Sequence, residues 1–391
     1  MSGSDEAGAA SVNAGLAPYA TPHAAPAAPA PAPPASPDQL VRVRDLSVRF
    51  TSREGDVQAV AGVSFDLAPR EVLCILGESG SGKSVTLRAL MRLNPPRRTV
   101  LAGSVHVGGH DILAAPERVM SNLRGSLVSM IFQEPMTALD PVFTIGQQIA
   151  ETVRRHDRTS RAAARLRALE LLDLVQVPSA QRRLDSFPHE LSGGLRQRAM
   201  IAMALSCRPR LLLADEPTTA LDATVQIQVL LLLRRLQQEL GMGVILVTHD
   251  LGVAGEIADR VAVMYAGRFV EEGPVAALMG DPRHPYAQGL LGATVHAGLR
   301  GQRLTVIPGA PPDLRAPPTG CAFAPRCAFV QAECLPEVPA LWRVGPGRAA
   351  RCVRVAEVPA AADVLPPGAI PAGLGPIDTT TGTAAGGGVS A

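Results

Sequence analysis

The chain has 391 residues, a formal net charge of +2, 47% hydrophobic residues and only 3% aromatic ones. That balance lacks the basic excess that nucleic acid or an anionic membrane surface selects, and the rings that base stacking needs. No apolar run approaches the ~18 residues needed to span a bilayer, and the leucines at 230–233 are broken at once by Arg234 and Arg235.

In chain order, residues 1–38 are rich in Ala and Pro, carry no Lys or Arg and offer almost no large apolar side chains. Such a segment cannot bury enough surface to offset its ordering entropy, so a disordered arm is expected, neither signal nor transit peptide. Residues 39–280 read as an α/β unit. Strand-like runs lie at Val41–Val43, Val60–Leu67, Val72–Leu76, Leu127–Phe132, Leu211–Ala214, Val244–Thr248 and Arg260–Met264. Helical spacing of apolar residues fills Ala162–Val175 and Thr224–Leu240. Short strands alternating with helices predict a parallel central sheet. Residues 281–354 are Pro-rich and hold four of the six cysteines, which predicts a small separate unit; 355–391 read as a disordered tail.

One lysine occurs in the whole chain, at position 83, among 37 Lys and Arg residues. It sits in Gly77-Glu78-Ser79-Gly80-Ser81-Gly82-Lys83-Ser84-Val85, between a strand and a helix. In G-x-x-x-x-G-K-S the backbone N–H groups cradle phosphates at a helix N-terminus. The ammonium is a compact charge that reaches the β- and γ-phosphates; the broader guanidinium does not match that slot. A chance Gly/Ser turn would not explain why this one basic position escaped becoming arginine.

Further on, the apolar run 211–214 ends in Asp215 and Glu216. A buried strand would bring Asp215 to the phosphate loop, where with Ser84 it would hold Mg²⁺. Glu216 would orient or deprotonate the water that attacks the γ-phosphate. Ser192, Gly193 and Gly194 form a second exposed helix start, a second phosphate site by the same physics.

Taken together, these residues resemble the ATP-binding cassette family. Gln133 matches the Q-loop, 191–197 the signature with Ser192, Gly193, Gly194 and Gln197, Asp222 the D-loop, and His249 the switch histidine. Phe50 falls where the family stacks a ring on adenine. The resemblance implies a P-loop NTPase cassette: a RecA-like core with a parallel sheet, an accessory antiparallel sheet near 40–70, and a helical subdomain over about 144–190. It implies ATP bound by residues 77–85 and, from a partner, by the signature. Mg²⁺ would be held by Ser84, Gln133 and Asp215, with Glu216, His249 and Gln133 in catalysis.

Phe132–Pro141, Phe187–Arg198, Thr218–Gln226 and His284-Pro285-Tyr286 resemble the oligopeptide/dipeptide importer branch, with mild departures at Glu134, Ala138, Asp140 and Leu195. This implies the ATPase subunit of a peptide importer, with nickel or another peptide-like solute as the alternative and a soluble cassette ATPase as a remoter one. Implied partners are a second cassette (identical or related), two transmembrane permease subunits and an extracytoplasmic solute-binding protein, with no nucleic acid. The implied location is peripheral, at the cytoplasmic face of the plasma membrane.

Cys321, Cys327, Cys334 and Cys352 lack C-x-x-C spacing. A small unit with little apolar material needs a staple, and four thiolates suit tetrahedral zinc or a cubane cluster. The importer branch's C-terminal extension carries a [4Fe-4S] cluster in some members, so the resemblance implies that cluster, with zinc or no metal as alternatives. Cys74 and Cys207 read as core residues.

Overall fold

The computed structural model describes residues 39–134, 138–219, 221–293 and 306–361. The expected arm at 1–38 and most of the expected tail lie outside them.

Two sheets carry the fold. The first is antiparallel, with four strands in the order β2-β1-β4-β5: β1 Val41–Phe50, β2 Val57–Leu67, β4 Thr99–Val107 and β5 His110–Asp111. It is the expected accessory sheet, but it reaches well past residue 70. The sequence reading missed β4 because Gly103 and Ser104 interrupt it and its first half is largely exposed.

Among the described residues the second sheet has eight strands, ordered β11-β12-β10-β9-β3-β8-β7-β6, where β10 is Arg268–Pro274, β11 Trp342–Gly345 and β12 Arg348–Ala350. Strands β3 Val72–Leu76, β6 Val128–Ile131, β7 Leu211–Asp215, β8 Gly243–Thr248 and β9 Arg260–Tyr265 run parallel, as expected. Their side chains alternate between two cores. Cys74, Leu212, Ala214 and Leu246 face one that includes the helical subdomain. Leu73, Ile75, Leu213 and Ile245 face the other, shared with the antiparallel sheet and helix α1 Lys83–Leu90. Covering on both faces is why these strands read as unbroken apolar runs.

The helical subdomain contains α3 Ile145–Asp157, α4 Arg161–Leu174 and α5 Ala180–Arg183, after α2 Glu117–Ser126. Thr144 starts α3 with a capping box to Gln147, and Ser160 caps α4 through Ala163 N–H.

The C-terminal segment departs from the expected separate unit. Strands β11 Trp342–Gly345 and β12 Arg348–Ala350 extend the central sheet, because β12 pairs antiparallel with β10 Arg268–Pro274. Glu271 on β10 is fully buried, accepts the N–H groups of Arg283 and His284, and faces Arg348 Nη2 at 3.4 Å. Order also continues beyond the expected boundary at 354: Val358 and Ala361 are buried, and Pro359 O accepts from Gln288.

Candidate nucleotide site

Parallel pairing brings three strand ends to one edge, since Leu76 lies opposite Thr248 and Asp215 opposite Val247. Ligand sites of parallel sheets form at such carboxyl ends. The loop after Leu76 runs from Gly77 to Gly82 and opens α1 at Lys83. Two of its glycines are required by close backbone approach: a Cβ on Gly77 would strike Met264 O, and one on Gly82, at φ +107°, would strike Ala59 O. Ser79 and Gly80 are exposed, whereas Ser81 and Lys83 are buried. Lys83 Nζ donates to Gly77 O at 2.7 Å and Glu78 O at 2.8 Å. Burial holds its pKa below the ordinary value, against the pull of Glu216 and Asp215. Val85 is half-buried in the first turn of α1.

Ser84 Oγ donates to Asp215 Oδ1 at 2.7 Å. Asp215 Oδ2 is buried and has no partner. Burial raises this carboxyl above its usual range. An unpartnered buried carboxylate oxygen beside a hydroxyl is a donor set suited to a hard divalent cation.

Glu216 follows at φ +46°, an uncommon conformation for a non-glycine residue, and its N–H donates to Val247 O. Its Oε2 collects three side chains: Thr219 Oγ1 at 2.9 Å, His249 Nδ1 at 3.2 Å and Gln133 Nε2 at 3.4 Å. Gln133, Glu216 and His249 are therefore brought together, although they come from three different strand ends. His249 is 61% exposed, against 13% for Glu216. Asp250 N–H donates to Thr248 Oγ1, and the Asp250 carboxylate caps α8 Leu251–Ile257 through Gly252 and Val253 N–H, which fixes the backbone on both sides of His249.

Phe50 ends β1, partly buried against the second core. Ser192 caps α6 Gly193–Leu205 by accepting Leu195 N–H, and both Ser192 and Gly193 are exposed. Gly194 abuts Val225 in the first turn of α7 Ala223–Leu240, which Asp222 caps. Signature and D-loop thus share one surface. Gln197 differs from its expected role at nucleotide: it is 2% exposed, with Nε2 buried and unpartnered. Glu78 differs as well. Its N–H donates to Tyr286 Oη at 2.9 Å on α9 Pro285–Ala293, and its carboxylate takes a bidentate ion pair from Arg326.

Sequence reasoning missed Thr219, Tyr286 and Arg326. Thr219 sits in a motif that marked only the importer branch, and Tyr286 likewise. The local signal for Arg326 was its place between two cysteines.

Cys321, Cys327, Cys334 and Cys352 line one cavity, together with His284, Phe323 and Arg354. Burial raises the thiols of Cys321 and Cys327, and pushes Cys352 up to about 12. Among the described residues, no three His, Cys, Asp or Glu side chains form a group able to hold a metal ion. No helix among them is long and apolar enough to cross a membrane.

Comparison with known proteins agrees with this geometry. Residues 60–219 match the family model described as ABC transporter, and 270–334 match that of the oligopeptide/dipeptide transporter C-terminal region. A protein of Brucella abortus (strain 2308), provisionally named a peptide import ATP-binding protein, is 50% identical over 313 residues, covering 80% of this chain and 94% of its own. A provisionally named peptide ABC transporter ATP-binding protein of Sinorhizobium fredii (strain NBRC 101917 / NGR234) is 49% identical over 324 residues, covering 82% and 96%. A solved cassette dimer, in a post-hydrolysis state bound to ADP and Pi, superposes with a TM-score of 0.55 at 28% identity, covering 60% of this chain and 98% of that one. The cbiO1 cassette of Clostridium perfringens gives 0.52 at 27% identity, covering 61% and 89%.

Proposed function

The chain belongs to the ATP-binding cassette transporter family, in its oligopeptide/dipeptide branch, and from that premise we propose that it hydrolyses ATP to power a peptide importer. The observation that carries the reading is the convergence of Gln133, Thr219 and His249 on one oxygen of Glu216, next to the Ser84–Asp215 pair. Glu216 takes the proton of the attacking water, and His249 positions that water and the γ-phosphate. Lys83 and the loop amides hold the phosphates. Ser84, Asp215 and Gln133 would hold Mg²⁺, which supplies charge neutralisation between the β- and γ-phosphates when bound.

Ser192 and Gly193 present their helix start outward, so the signature serves the nucleotide of a second cassette, identical or related. With no spanning helix of its own among the described residues, the subunit works at the cytoplasmic face of the membrane through two permease subunits, and a solute-binding protein delivers cargo. The test is reconstitution with the permeases in vesicles. ATP hydrolysis should rise when the binding protein arrives loaded with peptide. Stimulation by a nickel complex and not by peptide would transfer the reading to the other solute class.

The four cysteines support a second, finer reading: a sulfur-ligated metal centre in the extension. They line one shared cavity, and it is the likeness of this extension to that of the importer branch that favours a [4Fe-4S] cluster over tetrahedral zinc. Anaerobically purified full-length protein should carry about four irons and absorb near ~400 nm. Stoichiometric zinc would support the tetrahedral alternative, and protein free of both metals would end the metal reading.

A further inference from the structure

The phosphate loop is held from behind by the C-terminal extension. Arg326 lies in the single 3₁₀ turn Ala324–Arg326, between Cys321 and Cys327. It is 248 residues from Glu78 in sequence, yet Nη1 and Nη2 meet the two Glu78 carboxylate oxygens at 2.7 and 2.9 Å. The arginine side chain is 4% exposed and that of Glu78 27%. Its remaining donors are also placed: Nε goes to Pro308 O at 2.8 Å and Nη2 also to Ile307 O, while Nη1 also reaches Tyr265 Oη at 3.3 Å. The guanidinium lies over the Tyr265 and Phe323 rings, 5.8 and 5.9 Å from their centroids. Such a group is fixed by its surroundings and can fix what it binds.

Glu78 is well placed to transmit that restraint. Lys83 Nζ donates to the carbonyl of Glu78 at 2.8 Å, so a backbone shift at 78 moves the lysine's own anchor. On the same residue the N–H is tied to Tyr286, whose ring packs 5.4 Å from that of Phe323. Elsewhere the loop is tied by Ser81 O, which accepts from Gly267 N–H. Gly80, between these two ties, has open space around it and φ +78°. The anchored ends therefore decide how the free amides are presented to phosphate.

We propose that Arg326 is a positioning residue for nucleotide binding: through Glu78 it holds the phosphate loop in its binding shape, so the cysteine-bearing extension sets the ATP affinity of its own cassette. This rests on the reading of 77–84 as the nucleotide cradle. Arg326 is held out of the cradle by Glu78 and acts before chemistry, on affinity. Loss of the ion pair should raise the ATP dissociation constant and KM while leaving kcat at saturating ATP nearly unchanged.

The test uses full-length protein, a fluorescent ATP analogue and steady-state hydrolysis, at a temperature below the unfolding transition of every variant. Arg326→Met is expected to weaken ATP binding about tenfold, within the usual range of coupling between sites, with kcat within about twofold. Arg326→Lys, which keeps the charge but not the fork, should recover part of the affinity. Glu78→Gln should weaken binding similarly, and the double variant should be no worse than either single change. A lower melting temperature with an unchanged dissociation constant would overturn the proposal, because a merely structural arginine would give that result. Additive losses in the double variant would also overturn it, since Glu78 would then act on nucleotide independently. Should Arg326→Met fail to fold, unaltered affinity in both Arg326→Lys and Glu78→Gln overturns it equally. Failure of the wild type to bind ATP, or tight binding by Lys83→Ala, would instead count against the nucleotide cradle itself.

Discussion

Ser84 Oγ donates to one oxygen of Asp215 at 2.7 Å, and the other oxygen of the same carboxylate is buried with no partner. Burial, and after it the neighbouring Glu216 charge, raises the Asp215 pKa, so a bound cation would stabilise the charged form that the fold disfavours. Asp215→Asn removes the charge and keeps the shape. In the wild type, Mg²⁺ should tighten ATP binding; in the variant, titration with and without Mg²⁺ should give the same dissociation constant. Hydrolysis should fall by on the order of 100-fold, the size typical of losing one transition-state stabiliser. A full Mg²⁺ response in the variant would place the cation elsewhere.

Glu216→Gln should leave ATP binding intact and slow turnover by at least ~100-fold, the usual contribution of a general base. The side chain already meets Thr219, Gln133 and His249, so the amide can keep part of this network while losing basicity. Single-turnover kinetics at saturating ATP would separate the two effects, and a near-normal hydrolytic rate would remove Glu216 from the role.

Lys83→Arg keeps the charge but enlarges the head group. The ammonium sits 4% exposed between two carbonyls of its own loop, those of Gly77 and Glu78. A planar fork does not fit between them without moving the loop. Most ATP affinity should be lost, as equilibrium binding would report; an unchanged constant would make the chain's single lysine incidental.

The extension should show compensating titrations. His284 is fully buried, its Nδ1 accepts Tyr286 N–H, and burial followed by Arg351 brings its pKa down from 6.5 to about 3. Its stabilising contribution is present above about 6.5 and is lost as pH falls towards 3. Glu271 is pushed the other way by burial, from 4.5 up to about 7, despite two backbone donors and Arg348. Its contribution is present below about 4.5 and is lost as pH rises through 7. Each slope can reach about 1.4 kcal/mol per pH unit, and between about 4.5 and 6.5 they oppose each other. Relative to wild type, Glu271→Gln should therefore lose more stability on acidification over that window, and His284→Asn less. Urea unfolding at several pH values checks the sign, and parallel profiles for all three proteins would reject the compensation.

The candidate site residues were legible because each belongs to a short motif whose spacing is local: a glycine loop with one lysine, an apolar strand ending in two acids, a histidine after Thr248. The parallel strands were legible because burial on both faces leaves unbroken apolar runs. Strand β10 was not, since Arg268–Pro274 contains two glutamates, a glycine and a proline and looks like a turn. It pairs antiparallel with β9 on one side and β12 on the other, and its buried Glu271 faces Arg348, 77 residues away. Nor could spacing reveal the pairing of Glu78 with Arg326, which needs the whole cassette folded between them. Glu78 was read as a phosphate ligand because its position in the loop motif says nothing about which way its groups are engaged.

The cover that β12 gives β10 has a consequence for how the protein is made. Strand β10 is synthesised long before β12, and at ~5–20 residues per second the ribosome leaves it uncovered for several seconds. An uncovered strand at a sheet edge is a template for pairing with another nascent chain. Glu271 and Glu272, side by side on that strand, put charge on the open edge during the interval, as natural edges do to discourage such pairing. The acid that is costly to bury in the finished fold would thus guard the unfinished one. A chain ending at Gly280 would keep that edge open permanently and should aggregate more slowly with Glu271 and Glu272 in place than with both changed to Gln, although every ATP-binding motif is present in each.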